Sequence, residues 1–76
     1  MAEEWIVCDK DIFSGKPIVK GTRISVAVIL QAIASGMTID EILKGYPSLT
    51  REGVLAALEF AAFQMAGEEV RILENV

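Results

Sequence analysis

Three basic side chains occur close together in a glycine-containing segment. Lys16, Lys20 and Arg23 follow Gly15, and the hydroxyl group of Thr22 precedes Arg23. Cations and hydroxyls of this kind contact the phosphate oxygens of a nucleic acid backbone. The Gly-Lys pair lacks the upstream glycine of a phosphate-binding loop, which argues against a nucleotide site. Lys16, Lys20 and Arg23 are therefore candidate phosphate contacts, either to a DNA backbone or to an RNA-like surface.

A structural interpretation of the same segment stays open. Gly21 allows a sharp bend between an extended segment and a helix. The hydroxyls of Thr22 and Ser25 could bond to the backbone at that bend. In this alternative, Arg23 pairs with an acidic side chain and contacts no ligand.

A second group of candidates lies where a long helix is predicted to begin. Ser48 and Thr50 precede this helix, and Arg51 is its first residue. In a helix-turn-helix, the start of the second helix enters the major groove of DNA. Ser48, Thr50 and Arg51 are therefore the candidate groove contacts, while the neighbouring Glu52 repels phosphate.

The helix-turn-helix that would position these residues is predicted from its caps. Thr38 and Glu41 have the spacing of a capping box, which begins a short helix. Gly45 and Pro47 end that helix, because neither residue continues it comfortably. Thr50 caps the next helix. Two capped helices joined by a tight turn form a helix-turn-helix.

An earlier helix favours a homodimer. Ser25 is its predicted cap and Gly36 its predicted end, with the apolar segment VAVILQAIAS between them. Gln31 is the only polar residue in its interior, and a helix that is apolar on all sides is normally buried on all sides. Hydrophobic residues make up 53% of only 76 residues, which leaves little interior to cover this helix.

The long helix, from about residue 51 to 66, has two predicted faces. The predicted core stripe contains Val54, Leu55, Leu58, Ala61, Ala62 and Met65. The opposite face contains Gly53, Ala56, Ala57, Phe60 and Gln64. Because glycine and alanine let another backbone approach closely, this second face is predicted to contact a protein at least as readily as DNA.

The rest of the chain supplies a short β ribbon and an uneven distribution of charge. Residues 4–8 and Ile18–Val19 are rich in β-branched residues and could pair as two strands. Residues 1–51 carry six basic and six acidic side chains, so the net charge of -4 comes entirely from residues 52–76. An acidic C-terminal part suits a basic partner and works against simple DNA binding.

The residues that are missing from the chain argue against an enzyme. It has no histidine and a single cysteine, so a Ser-His or Cys-His nucleophile pair and an intrachain disulfide are excluded. Cys8 is expected to be a small buried apolar residue, and a free thiol fits the reducing cytoplasm. The acidic N-terminus does not resemble a signal peptide, and no apolar segment is long enough to cross a membrane. No cofactor or metal site is predicted.

The segment GKPIVKGTRISV, followed by ASGMTIDEILKGYPSLT and AALEFA, resembles the DUF433 family over about residues 4–65. The resemblance implies a mainly α fold, namely a homeodomain-like three-helix bundle with a short N-terminal β ribbon. A single domain would then comprise the ribbon at about 4–24, the helices at about 25–66 and a charged tail at 67–76. The family looks prokaryotic and is similar to antitoxins that bind a PIN-like nuclease toxin and operator DNA.

Two functions follow from these observations. In the first, the protein is a homodimeric, cytoplasmic, antitoxin-like regulator that binds a PIN-like nuclease toxin and operator DNA. In the second, it is a protein-interaction module of the same fold with no nucleic acid site. Its acidic long helix and tail would then bind a basic partner. The charge favours the second function, and the resemblance favours the first.

Overall fold

The computed structural model describes residues 2–66, with side chains from Glu4 onward, so the predicted charged tail at 67–76 lies outside the described residues. The elements are α1 (Ala2–Trp5), β1 (Ile6–Cys8), β2 (Pro17–Val19), α2 (Val26–Ala34), α3 (Ile39–Gly45) and α4 (Arg51–Ala66). This arrangement confirms the predicted fold class, a mainly α domain with three principal helices and a short β ribbon. Within residues 2–66, no helix is long and apolar enough to cross a membrane.

The two strands of the ribbon pair antiparallel within one chain. Ile6 lies opposite Val19, and Cys8 lies opposite Pro17. The predicted first strand is two residues too long, because residues 2–5 form one turn of helix. The expectation that Cys8 is buried is also wrong. Cys8 ends the strand and is exposed, and only Ile6, at the other end of the strand, is buried.

A tight left-handed turn lies between the strands. Phe13, Ser14 and Gly15 have φ angles of 51°, 57° and 85°, a region that residues with a side chain seldom adopt. The amide of Lys16 donates to the carbonyl of Phe13 at 3.1 Å and closes the turn. Phe13 and Ser14, which both carry a side chain, are thus held in an unfavourable backbone conformation next to Lys16, one of the candidate phosphate contacts.

The structure confirms the predicted cap of α2 at Ser25 and its predicted end at Gly36. The hydroxyl of Ser25 accepts a hydrogen bond from the amide of Val28 at 3.1 Å, which caps the start of the helix. Gly36 ends the helix with a φ of 102°. The amide of Met37 then donates to the carbonyl of Ala32 at 3.1 Å, which is the bonding pattern of a Schellman cap.

The predicted capping box begins α3. The amide of Glu41 donates to the hydroxyl of Thr38 at 3.1 Å, and the amide of Thr38 donates to the carboxylate of Glu41 at 2.8 Å. Beyond α3, the amide of Leu49 donates to the carbonyl of Tyr46 at 2.9 Å. A single tight turn therefore joins α3 to α4, as the helix-turn-helix interpretation requires.

The buried face of α4 is the one composed of small residues, contrary to the prediction. Gly53, Ala56 and Ala57 are buried, whereas Leu55 and Met65 are 49% and 56% exposed. The other members of the predicted stripe are divided: Val54 is buried, Leu58 and Ala61 are partly buried, and Ala62 is exposed.

The reason for this reversal is a close approach between α4 and the N-terminal segment. A Cβ atom added to Gly53 would lie 3.1 Å from the Cγ1 atom of Val19 and 3.9 Å from the Cε3 atom of Trp5. The small face therefore contacts the ribbon and α1 of its own chain. This packing leaves Leu55 and Met65 facing outward, while Val54 is buried in the core.

One side of α2 stays uncovered by the described part of the chain. Val26 and Ile29 are buried, but Ala27, Leu30, Gln31 and Ala34 are exposed. This exposed side carries no charge, as expected for a surface that a second molecule could cover. The described residues of one chain therefore do not bury α2 on all sides.

Candidate functional site

The start of α4 brings Ser48, Thr50 and Arg51 together, and all three residues are exposed. The hydroxyl of Thr50 accepts a hydrogen bond from the amide of Gly53 at 3.1 Å. This bond confirms that Thr50 caps α4, and it occupies one acceptor site of the hydroxyl that was predicted to contact DNA.

Arg51 forms an ion pair with Asp40 in the first turn of α3. The pair joins the two helices of the helix-turn-helix. The side chains of Arg51 and Asp40 are 52% and 78% exposed, so the pair contributes at most about 1 kcal/mol to stability. It nevertheless offsets the positive charge of Arg51, the basic residue at the start of α4.

Lys16 and Arg23 line one shallow groove. The groove has a volume of about 390 Å³ and is also lined by Phe13, Ser14, Ser25 and Val28. Both cations are exposed, and no carboxylate of residues 4–66 forms an ion pair with either of them. The expected acidic partner of Arg23 is therefore not found in the described part of the chain.

The neighbouring hydroxyl has a structural role. Thr22 donates to the carbonyl of Val19 at 2.8 Å and accepts from the amide of Ile24 at 3.0 Å. These two bonds fix the bend at Gly21, which has a φ of 82°. The structural interpretation of Thr22 is thus confirmed, while Lys16 and Arg23 keep their charged groups free of the described acids.

Lys20 lines a different groove from the other two cations. This groove, of about 450 Å³, is formed with Glu4, Trp5 and Val7. Trp5 also lines an adjacent groove of about 430 Å³, together with Glu52, Leu55, Ala56 and Glu59. The predicted trio of phosphate contacts is therefore divided between two surfaces, and one of these surfaces is mainly acidic.

We define the Trp5 cleft as the surface formed by Glu4, Trp5, Val7, Lys20, Glu52, Leu55 and Glu59. The sequence interpretation missed this surface, because residues 4–8 were predicted to form one strand, whereas Trp5 ends α1. Positions 52, 55 and 59 have the spacing of one helical face, which is the signal that could have revealed it.

These surfaces are suited to binding. Within the described residues, no polar or charged side chain is buried, and no three acidic or thiol side chains gather closely enough to hold a metal ion. The cations, acids and apolar side chains described above lie on the surface, where they can contact another macromolecule.

The chain matches the model of a known protein family and a curated relative. The model of a family described as "Protein of unknown function (DUF433)" matches residues 6–61. The relative is the "Uncharacterized protein y4eO" of Sinorhizobium fredii (strain NBRC 101917 / NGR234), which is 33% identical over 60 residues. The match covers 79% of this chain but only 27% of the relative. No solved structure matches the chain.

Proposed function

The chain belongs to the DUF433 family, and on this premise we propose that it is an antitoxin-like regulator that silences a PIN-like nuclease by binding it. The observation that carries the proposal is the outward face of α4. This face presents Glu52, Leu55 and Glu59, and Arg51 at the start of the helix is paired with Asp40. An acidic and apolar surface repels phosphate and suits a protein that carries basic side chains.

Co-expression tests this function directly. The tagged chain is produced together with the product of the neighbouring reading frame, which the proposal expects to be a PIN-like nuclease, and the two proteins are purified through the tag. We expect a stable complex in which the ribonuclease activity of the partner is suppressed. The proposal fails if the nuclease remains active and does not co-purify.

The regulator is proposed to act as a homodimer in a prokaryotic cytoplasm. The uncharged side of α2, with Leu30 at its centre, supports this assembly. Sedimentation at micromolar concentration should give a dimer for the unmodified chain and a monomer for Leu30→Glu. Lys44→Glu, which changes an exposed residue of α3, is the matched control and should remain dimeric. A folded monomer for the unmodified chain would contradict the assembly.

Binding to operator DNA is the second candidate function. It is supported by Lys16 and Arg23, which form no ion pair with the acids of residues 4–66, and by the exposed start of α4 at Ser48 and Thr50. A mobility shift on the promoter of the chain's own gene, at low and moderate salt, tests it. The variant Lys16→Ala/Arg23→Ala should reduce the salt slope by about 2, since each phosphate contact contributes about 0.9. If binding is absent at low salt, with and without the partner, the protein-interaction alternative holds.

A further inference from the structure

We propose that the Trp5 cleft is the docking site for a basic, amphipathic segment of the protein partner. The inference rests on the proposed function, because it names the chemistry that the partner must present. Arginine or lysine side chains of the segment would lie against Glu4, Glu52 and Glu59. Its apolar face would pack on Trp5 and Leu55.

Trp5 is a well-placed anchor for such a contact. Its side chain is partly exposed and lines both grooves, so it lies where the two grooves meet. Its carbonyl accepts a hydrogen bond from the amide of Lys20 at 2.6 Å, and its ring lies close to the backbone of Gly53. A tryptophan that is already held in place loses little freedom on binding, and tryptophan is over-represented among residues that dominate binding energy.

The charges of the cleft select the class of partner. Three carboxylates and Lys20 line the two grooves, so the lining has a net charge of -2. Glu52 and Glu59 are seven residues apart on α4, which separates them by about 10 Å along the helix. A partner helix with two cations seven residues apart would match this spacing. A cation over the face of Trp5 gains a further attraction.

The same charges disfavour the other possible occupants. A nucleic acid strand would bring phosphates against the three carboxylates, which costs energy at every contact. A second copy that docked through its own α4 would place Glu52 and Glu59 against identical acids. A basic protein segment is the occupant that satisfies both the carboxylates and the apolar surface between them.

Fluorescence offers a direct test, because Trp5 is the only tryptophan of the chain. The probe is a synthetic helical peptide with leucine on one face and arginine at two positions seven residues apart. The comparison peptide has glutamate in place of both arginines. We expect saturable quenching or a spectral shift with the basic peptide only, and about tenfold weaker binding by Glu52→Gln/Glu59→Gln. Asp11→Asn, an exposed acid outside the cleft, is the matched control and should bind normally.

Several results would overturn the inference. The inference is wrong if the acidic peptide binds as tightly as the basic peptide, or if the fluorescence of Trp5 does not change. It is also wrong if Glu52→Gln/Glu59→Gln and Asp11→Asn bind the basic peptide with equal affinity. A change of oligomeric state in Glu52→Gln/Glu59→Gln would assign the cleft to a second copy instead. Because both glutamates are exposed, these variants should keep the circular dichroism spectrum of the unmodified protein.

The nuclease complex separates this inference from the proposed function. If the complex forms and survives both Leu55→Ala and Glu52→Gln/Glu59→Gln, the partner docks elsewhere and only the cleft assignment falls. If the unmodified chain forms no complex, the proposed function falls. The response of Trp5 to the two peptides still decides whether the cleft binds basic segments.

Discussion

Replacing Gly53 with alanine tests the close packing of α4 on the ribbon. The new Cβ atom would lie 3.1 Å from the Cγ1 atom of Val19, roughly 0.4–0.9 Å inside the favourable separation of two carbon atoms. Val19 is only 2% exposed and has little room to move. Overpacking of this kind costs about 1–3 kcal/mol, whereas alanine improves helix propensity by about 1 kcal/mol. The expected net loss of stability is therefore about 0–2 kcal/mol.

The sign of this effect should reverse when Val19 is shortened. Val19→Ala removes the methyl group that the new Cβ atom would meet, so the clash disappears and the helix propensity gain remains. In that background, Gly53→Ala should stabilise the protein by about 1 kcal/mol. The interaction energy of the pair is then about 1–3 kcal/mol, in the range measured for side chains in direct contact.

Urea denaturation followed by circular dichroism measures all four proteins of this cycle at one fixed concentration. Gly45→Ala is the control for helix propensity alone, because an added Cβ atom at Gly45 meets nothing within 4 Å. This control should be neutral or slightly stabilised. If Gly53→Ala stabilises the unmodified chain by about 1 kcal/mol and adds independently to Val19→Ala, the close packing described here is wrong.

Three further substitutions test local features of the fold. Thr38→Ala removes the hydroxyl that accepts the capping bond from the amide of Glu41 and should destabilise the protein by about 1 kcal/mol in thermal unfolding, whereas Thr38→Ser should not. Arg51→Ala should change the free energy of unfolding by less than about 1 kcal/mol, because its pair with Asp40 is exposed; a larger loss in urea denaturation would contradict this. Gly36→Ala should cost about 1–2 kcal/mol at its φ of 102°, and an unchanged melting temperature would refute the Schellman cap.

The helices were predictable where their signals are local. Ser25, Thr38 and Thr50 each accept a hydrogen bond from the third residue that follows, and this spacing can be recognised in any sequence. Gly36 ends α2 for an equally local reason, its positive φ. Ser48, Thr50 and Arg51 could also be predicted to lie together, because all three are close in sequence to the start of α4.

The buried face of α4 was not predictable from α4 alone. Apolar residues lie nearly all round this helix, so the apolar stripe that includes Leu55 and Met65 was predicted to face the core. Gly53 and its small neighbours are buried because Val19 and Trp5 approach them from a distant part of the sequence. The sequence of α4 alone therefore could not indicate this contact.

The candidate site was predictable only in part, for the same reason. Lys16 and Arg23 line one groove, as their proximity in sequence suggested, but Lys20 lies beside Trp5 instead. Trp5 was assigned to a strand, although it ends a turn of helix that packs against α4. The Trp5 cleft therefore depends on a contact between distant segments that sequence spacing does not record.

The left-handed turn at Phe13, Ser14 and Gly15 limits which sequence changes this domain can accept. Asparagine, aspartate or glycine at position 14 would tolerate the backbone conformation, and glycine would relieve it. Valine or isoleucine there would be strongly disfavoured, and proline is incompatible because its ring fixes φ near −65°. Variation among natural or designed versions should therefore be narrow at these three positions, even though Phe13 and Ser14 are exposed.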